Sequence, residues 1–275
     1  NSTTKKTGEI YLIMLTNILG VISLINSNDF IMTIISWELF NYTLYLLVSI
    51  NSYSEKSISS SLKYFILSAL TTGILFLSIS IIYYNTGNTN YEIIAINIIE
   101  LFNMNKDNIM LKFALILLIF AILFKLSAFP FYNWAPDLYD NLNTNITMWM
   151  MIIPKLAVLS LLLIFTKDNI LPFYNILSIN NFILISGLLS IILGSIALYN
   201  QWNLKRFLAY SSISHIGYIL LALYCNSIES YIIYIIIYLL TTLNIFMIII
   251  LLSQYENKEI KYISQLIGLF NFNPF

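Results

Sequence analysis

Charge is scarce in this 275-residue chain. Only 9% of its residues are Asp, Glu, Lys or Arg, where an ordinary soluble domain carries about 25%. Arg206 is the only arginine, Cys225 the only cysteine and His215 the only histidine. A single cysteine excludes a disulfide framework. One cysteine and one histidine are also too few ligands for an iron–sulfur cluster or a bis-histidine haem held by this chain alone. No cofactor and no metal site is expected here. The formal net charge is zero, so nothing in the sequence points to nucleic acid as a partner. The polar opening NSTTKKTGE has no signal-peptide pattern and runs directly into an apolar stretch. The first residue is Asn1 rather than Met, and an upstream start is expected.

What fills the chain instead is apolar: 59% of residues are hydrophobic and the mean hydropathy is +0.82. A helix that crosses ~30 Å of hydrocarbon needs about 20 mostly apolar residues. Eight segments qualify, roughly 10–27, 30–50, 62–84, 109–132, 146–166, 181–199, 207–225 and 230–253. The alternating segments of about 10 residues that build membrane barrels are absent. In lipid the backbone must satisfy its own polar groups, so these spans are helices. The expected fold is an all-α polytopic membrane protein with about eight transmembrane helices. Within the connector 85–108, the stretch EIIAINIIELF is too short to cross. It reads as an interfacial amphipathic turn or two, or as an ordinary loop.

Lysine and arginine placement sets orientation. Lys5, Lys6, Lys56, Lys63, Lys205, Arg206, Lys258 and Lys261 fall on one side, and Lys106, Lys112 and Lys167 on the other. Both termini are therefore expected to face the matrix or cytoplasm. Heavy use of Asn, Ile, Tyr, Phe and Lys is what an AT-rich organellar genome encodes.

The informative residues are charges inside spans. Glu38 lies about eight residues into the second span, or ~12 Å at 1.5 Å per residue. Lys155 is at a similar depth in the fifth span, and Lys125 sits in the middle of the long fourth segment. An ionisable group near the bilayer centre costs at least about 2.5–3.5 kcal/mol on insertion scales and marks a bundle interior or a water-filled path. Burial weakens an ammonium's hold on its proton and a nearby carboxylate strengthens it. An amine balanced between the two exchanges protons when the carboxylate moves or changes charge. The alternative is a static salt bridge between Glu38 and Lys125, against which stands the excess of two lysines over one glutamate.

The fourth segment, KFALILLIFAILFKLSAFPFYNWAPDLYD, carries Pro130, which removes a backbone donor and clashes with the preceding turn. A discontinuous helix is expected near 126–130, with Lys125 at the break; a plain proline kink is the simpler reading. Broken helices at mid-membrane mark ion pathways in transporters. Pro154 is expected to loosen the fifth span just before Lys155. His215 lies at mid-depth in the seventh span among Ser211, Ser212 and Ser214, as a relay element or as hydrogen-bonded packing. Tyr42, Tyr132 and Tyr210 are candidate hydroxyl or water anchors. Lys63 opens the third span, either snorkelling to the interface or modulating Glu38. Asp137 and Asp140 are expected to flank the matrix connector.

The runs SWELFNY, SLKYFILSALTTG, FKLSAFPFYNWAPDLYDNLNTNITMWMMIIPKLAVL and LKRFLAYSSISHIGY are spread over most of the chain. In them the sequence resembles the antiporter-like membrane subunits of respiratory complex I, a family shared with multi-subunit cation/proton antiporters. The SLKYFILSA and YSSISHIGY forms favour the subunit 2 branch of complex I. The resemblance implies two inverted five-helix repeats, each with a discontinuous helix. It implies that 1–166 forms the first repeat and 167–275 three helices of the second. It also matches Glu38, Lys125 and Lys155 to the family's relay charges and His215 to a polar position in its tenth helix. The implied activity is proton translocation as a subunit of NADH:ubiquinone oxidoreductase in the mitochondrial inner membrane. NADH, FMN, iron–sulfur clusters and ubiquinone would then belong to other subunits. Partners implied are those other membrane subunits and lipids. The family's PFH becomes PFY here, so a midplane histidine is replaced by Tyr132, whose phenol passes hydrogen bonds but does not protonate near neutral pH. The second broken helix of the family, with its buried charge, has no counterpart in the sequence. Either the gene is split and a second polypeptide supplies those helices, the favoured expectation, or the sequence is a fragment. A cation/proton antiporter subunit and an inert structural subunit are the competing functions.

Overall fold

The computed structural model describes residues 2–50, 55–103, 109–167, 177–256 and 259–266. Lys106, Lys258 and the stretch 267–275 lie outside the described residues, as do 168–176, which border the expected boundary between repeats. Ten α-helices follow one another among the described residues: α1 (Ser2–Ile25), α2 (Phe30–Ile50), α3 (Glu55–Thr86), α4 (Tyr91–Asn103), α5 (Ile109–Leu126), α6 (Trp134–Asn141), α7 (Thr144–Lys167), α8 (Leu177–Tyr199), α9 (Leu204–Tyr224) and α10 (Ile228–Glu256). All but α4 and α6 are long and apolar enough to cross a membrane, which gives the eight spans that hydropathy predicts. Several helices overrun their apolar windows. The α3 helix starts at Glu55 rather than near 62, because once a helix is nucleated each added residue closes one more hydrogen bond.

The connector 85–108 contains a true helix. Tyr91, Ile94, Ala95 and Ile98 are buried while Ile93 and Ile96 are exposed, the spacing of one apolar helical face. Asn90 caps α4 by accepting the Glu92 backbone N–H at 3.0 Å on its Oδ1. Ahead of it, α3 stops at Gly87, whose φ of 69° suits the left-handed residue that closes a helix; its N–H reaches the Tyr83 carbonyl at 2.8 Å.

The fourth span breaks where Pro130 predicts, but over a longer stretch, 127–133. The break is built before the proline is reached. Ser127 has φ 56°; its N–H bonds the Phe124 carbonyl and the Ala128 N–H bonds the Leu123 carbonyl, both at 3.0 Å. This is the two-bond closure that usually ends on glycine, here made by serine. The Trp134 indole then donates to the same Phe124 carbonyl at 3.1 Å, which ties the start of α6 back to the end of α5. In α7, by contrast, Pro154 does not interrupt the helix.

The connectors meet in two groups. The α1–α2 and α3–α4 connectors are bonded together, Phe30 N–H to the Thr89 carbonyl and Tyr91 N–H to the Asn28 carbonyl. At the other end Arg206 pairs with Asp137 and Asp140 at 3.3 and 3.0 Å. Lys205 donates to the Leu142 carbonyl, and Leu204 N–H bonds the Lys261 carbonyl at 2.9 Å. Every one of these contacts joins connectors that alternating spans put on one side.

Candidate functional site

Lys125 occupies the last turn of α5, only 2% exposed. Its Nζ donates to Ser68 Oγ on α3 and lies 5.3 Å from the ring centre of Tyr64 and 5.8 Å from that of Tyr45. The Tyr45 hydroxyl donates to the same serine at 2.8 Å. The break places Lys125 beside the carbonyl end of a helix, where the backbone dipole favours positive charge, and the ring faces add attraction for a cation. Glu38 is half-buried on α2. It lies within electrostatic reach of Lys125, but among the described residues the two form no ion pair. The direct salt bridge weighed from the sequence is not made.

Lys155 is arranged in the same way. It is 1% exposed, donates to Ser212 Oγ on α9 at 2.8 Å, and lies 5.6 Å from the ring centre of Tyr238 on α10. The Tyr238 hydroxyl donates to the Met151 carbonyl at 3.0 Å, in the turn that precedes Pro154. Each lysine is thus held by one serine hydroxyl and aromatic faces. Both Ser–Lys pairs span 57 residues of sequence, with the serine first in one and the lysine first in the other.

His215 sits one turn beyond Ser212 on α9, half-buried. Its Nδ1 is 3.0 Å from the Tyr234 hydroxyl, and it lies within electrostatic reach of Lys155. It lines a cavity of about 160 Å³ with Ser211, Tyr234, Tyr238, Thr241 and Thr242. Pro130 and Tyr132 lie in the break between α5 and α6, and Tyr132 is within electrostatic reach of Tyr210 on α9. Tyr42 is exposed and packs edge-on against Tyr45 at 6.2 Å. Lys63 is exposed on α3, one residue before Tyr64.

Sequence reasoning missed Ser68, Tyr45, Tyr64 and Tyr238. Tyr64 and Ser68 are four apart on one helix face, a signal present in SLKYFILSA, but 20 tyrosines leave no way to choose from spacing alone. The serines carry a prediction. Ser68→Ala or Ser212→Ala leaves a buried ammonium short of an acceptor, which costs about 1–3 kcal/mol or more for a charged group. Each is expected to lower the thermal inactivation temperature of the detergent-solubilised assembly, and Ser→Thr to restore it. An unchanged melting profile in both alanine variants would contradict the clasp.

Chemically, the site holds two buried amines, each bonded to a serine hydroxyl, a group able both to accept and to donate. Such groups exchange protons through side-chain motion or intervening water. The chain is 38% identical over 276 residues to a Rhizopus oryzae protein named NADH-ubiquinone oxidoreductase chain 2, covering 97% of this chain and 52% of that one. It is 38% identical over 270 residues to NADH-quinone oxidoreductase subunit N of Pelagibacter ubique, covering 97% and 55%. It thus spans about half the length of these relatives. Its fold superposes, with TM-score 0.75 and 26% identity, on a chain of respiratory complex I from Thermus thermophilus solved with aureothin, covering 97% of this chain and 56% of that one. Residues 27–275 match the profile described as NADH:quinone oxidoreductase/Mrp antiporter, transmembrane, and the chain belongs to that family.

Proposed function

We propose that this chain is a proton-translocating membrane subunit of NADH:ubiquinone oxidoreductase. One observation carries the reading: Lys125 and Lys155 are both almost fully buried, and each is held by a serine rather than a carboxylate. A structural charge in lipid is normally neutralised by a partner. An ammonium bonded to a hydroxyl and faced by rings, with no carboxylate in contact, is placed to give up its proton. Redox chemistry elsewhere in the complex shifts the charge state around Glu38 and Lys125, and Lys155 passes protons onward toward His215. NADH, FMN, iron–sulfur clusters and ubiquinone are held by other subunits, a reading supported by the single cysteine and single histidine of this chain. Purification in mild detergent tests it. Co-purification with a flavin- and iron–sulfur-containing NADH dehydrogenase sensitive to rotenone-type inhibitors is expected. Sodium-dependent proton exchange without NADH oxidation would replace the reading with a cation/proton antiporter subunit.

The membrane is the mitochondrial inner membrane, with both termini on the matrix side. The lysine and arginine bias and the grouping of connectors support this. Cys225, exposed at the end of α9, is the native probe. In right-side-out mitoplasts a membrane-impermeant maleimide is expected to label Cys225, and to label a cysteine placed at Asn88 in a Cys225→Ser background. A cysteine at Ser59 is expected to react only in inverted vesicles. Labelling of the Ser59 position and not of Cys225 or the Asn88 position in mitoplasts would reverse the assignment.

The same reading puts further membrane helices, from a second polypeptide, against α10. Only 17% of the apolar window of that helix is buried, and the cavity beside it presents His215, Thr241 and Thr242. Polar groups on a face so open suit contact with protein rather than lipid.

A further inference from the structure

Two buried asparagines on neighbouring helices differ sharply. Asn17 on α1 is fully used. Its amide nitrogen donates to the Phe40 carbonyl at 3.3 Å and to Thr43 Oγ1 at 2.8 Å, and its oxygen accepts the Trp149 indole N–H at 3.0 Å. Asn41 on α2 is as deeply buried, 0% exposed, yet neither its Nδ2 nor its Oδ1 has a partner among the described residues. One turn away Trp37, 1% exposed, has an unpartnered indole nitrogen as well. A buried amide left unpaired costs several kcal/mol on the order of a lost hydrogen bond per group, and native interiors meet such groups with ordered water.

Position says what that water does. Trp37, Asn41 and Tyr45 are each four residues apart and share one face of α2. Trp37 and Thr33 are the polar residues of an otherwise apolar cavity of about 10 Å³ lined also by Leu75 of α3, Leu118 of α5 and Leu161 of α7, which fixes the level of Trp37 against those helices. Tyr45 bonds Ser68, the acceptor of Lys125. Asn41 therefore lies between these two levels, ~6 Å from each along the helix axis, on the face of α2 that carries Trp37 to Leu75 and Tyr45 to Ser68. Lys125 and Lys155 belong to α5 and α7. Along α7, Lys155 is about 9 Å from the level of Leu161, on the side of that level where Asn41 also lies, because α2 and α7 run in opposite directions.

We propose that Asn41, helped by Trp37, binds buried water that carries protons between Lys125 and Lys155. This rests on the pumping reading above and deepens it. An ammonium Nζ–H of Lys125 breaks as its proton joins a water held by the Asn41 amide. That water releases another of its protons to the neutral Nζ of Lys155, so charge passes and the water is regenerated. Asn41 is a positioning residue: its carboxamide both accepts from and donates to water and does not ionise.

The test uses the assembled complex. Asn41→Leu keeps the volume and removes both hydrogen-bonding atoms; Asn41→Ser leaves a hydroxyl and room for water. Ordered density within hydrogen-bonding reach of the Asn41 amide is expected in a high-resolution map of the unaltered complex. Proton uptake coupled to NADH oxidation is expected to slow on the order of ten-fold in Asn41→Leu, less than the roughly 10²–10⁴ that a lost general acid or base costs, with partial recovery in Asn41→Ser and normal assembly in both. A map showing Asn41 packed dry against side chains overturns the proposal. So does Asn41→Leu pumping at the unaltered rate while Lys125→Met is impaired, an outcome that leaves the pumping reading standing. Normal pumping in Lys125→Met and Lys155→Met overturns both.

Discussion

Lys125→Met and Lys155→Met are each expected to assemble normally and to lose NADH-coupled proton translocation, by on the order of ten-fold, below the roughly 10²–10⁴ that a lost general acid or base costs because water can enter the altered site. Methionine keeps most of the apolar stem, so the packing of Tyr64 against one lysine and Tyr238 against the other changes little. What disappears is the exchangeable ammonium and its bond to Ser68 or Ser212. Glu38→Gln is expected to act in the same direction, because it removes the charge within reach of Lys125 while keeping the side-chain shape. Stability and function should separate here. Removing a buried charge that has no carboxylate in contact relieves its desolvation cost, so the inactivation temperature of the methionine variants should hold or rise as pumping falls. Translocation at the unaltered rate in all three variants would leave the charges as inert structural groups.

Gly217→Val is expected to abolish accumulation of the assembled protein. A Cβ at position 217 would collide with Ser190 Oγ and lie 2.6 Å from Ile191 Cγ1 and 2.7 Å from the Gly187 carbonyl oxygen. The Gly187 carbonyl belongs to the backbone of α8 and cannot swing aside. Small residues at such a seam let helix backbones touch, which is what holds helices together in lipid. Forcing extra carbons into a packed interface typically costs about 1–3 kcal/mol, and a β-branched residue against backbone goes beyond that. Gly217 is also five residues from Ser212 and two from His215 on α9, so a helix pushed off α8 carries the Lys155 acceptor with it. Gly73→Ala is the control: nothing lies within 4 Å of its Cβ position, and alanine stabilises a helix interior by about 1 kcal/mol over glycine. Equal yields of the two variants, measured by immunoblot of membranes, would contradict the close α8–α9 approach.

The spans were legible because membrane crossing demands long apolar runs and the chain has little else. The break was legible from Pro130, though its length was not: Ser127 does the closing, and nothing about a serine announces a positive φ. Lys125 and Lys155 stood out as charges in the wrong solvent. Their partners did not, since a serine in a span satisfies itself on its own helix as a rule, as Ser78 does on the Leu75 carbonyl, and a tyrosine hydroxyl bonds whichever helix lies opposite, as Tyr238 does at Met151. Only the crossing of helices decides that Ser68 and Ser212 also face ammonium groups. Asn41 was invisible for the same reason. Its neighbour Glu38 drew attention by charge, whereas an amide becomes conspicuous only once its surroundings are known to offer nothing. Helix α4 shows a different limit, because EIIAINIIELF is apolar enough that its buried and exposed isoleucines are told apart only by what packs on them.

The closure at Ser127 has a mechanical consequence. The last-turn carbonyls of Leu123 and Phe124 are already bonded, by two backbone amides and the Trp134 indole. The break is accordingly a welded corner rather than a spring: opening it means breaking three bonds in a medium that supplies no replacements. Lys125 is anchored in this corner by its backbone and free only along its four-carbon stem. Whatever travels during a working stroke is then the tip of a side chain, swinging from Ser68 like a pendulum on a rigid bracket, while the helices that carry it stay still.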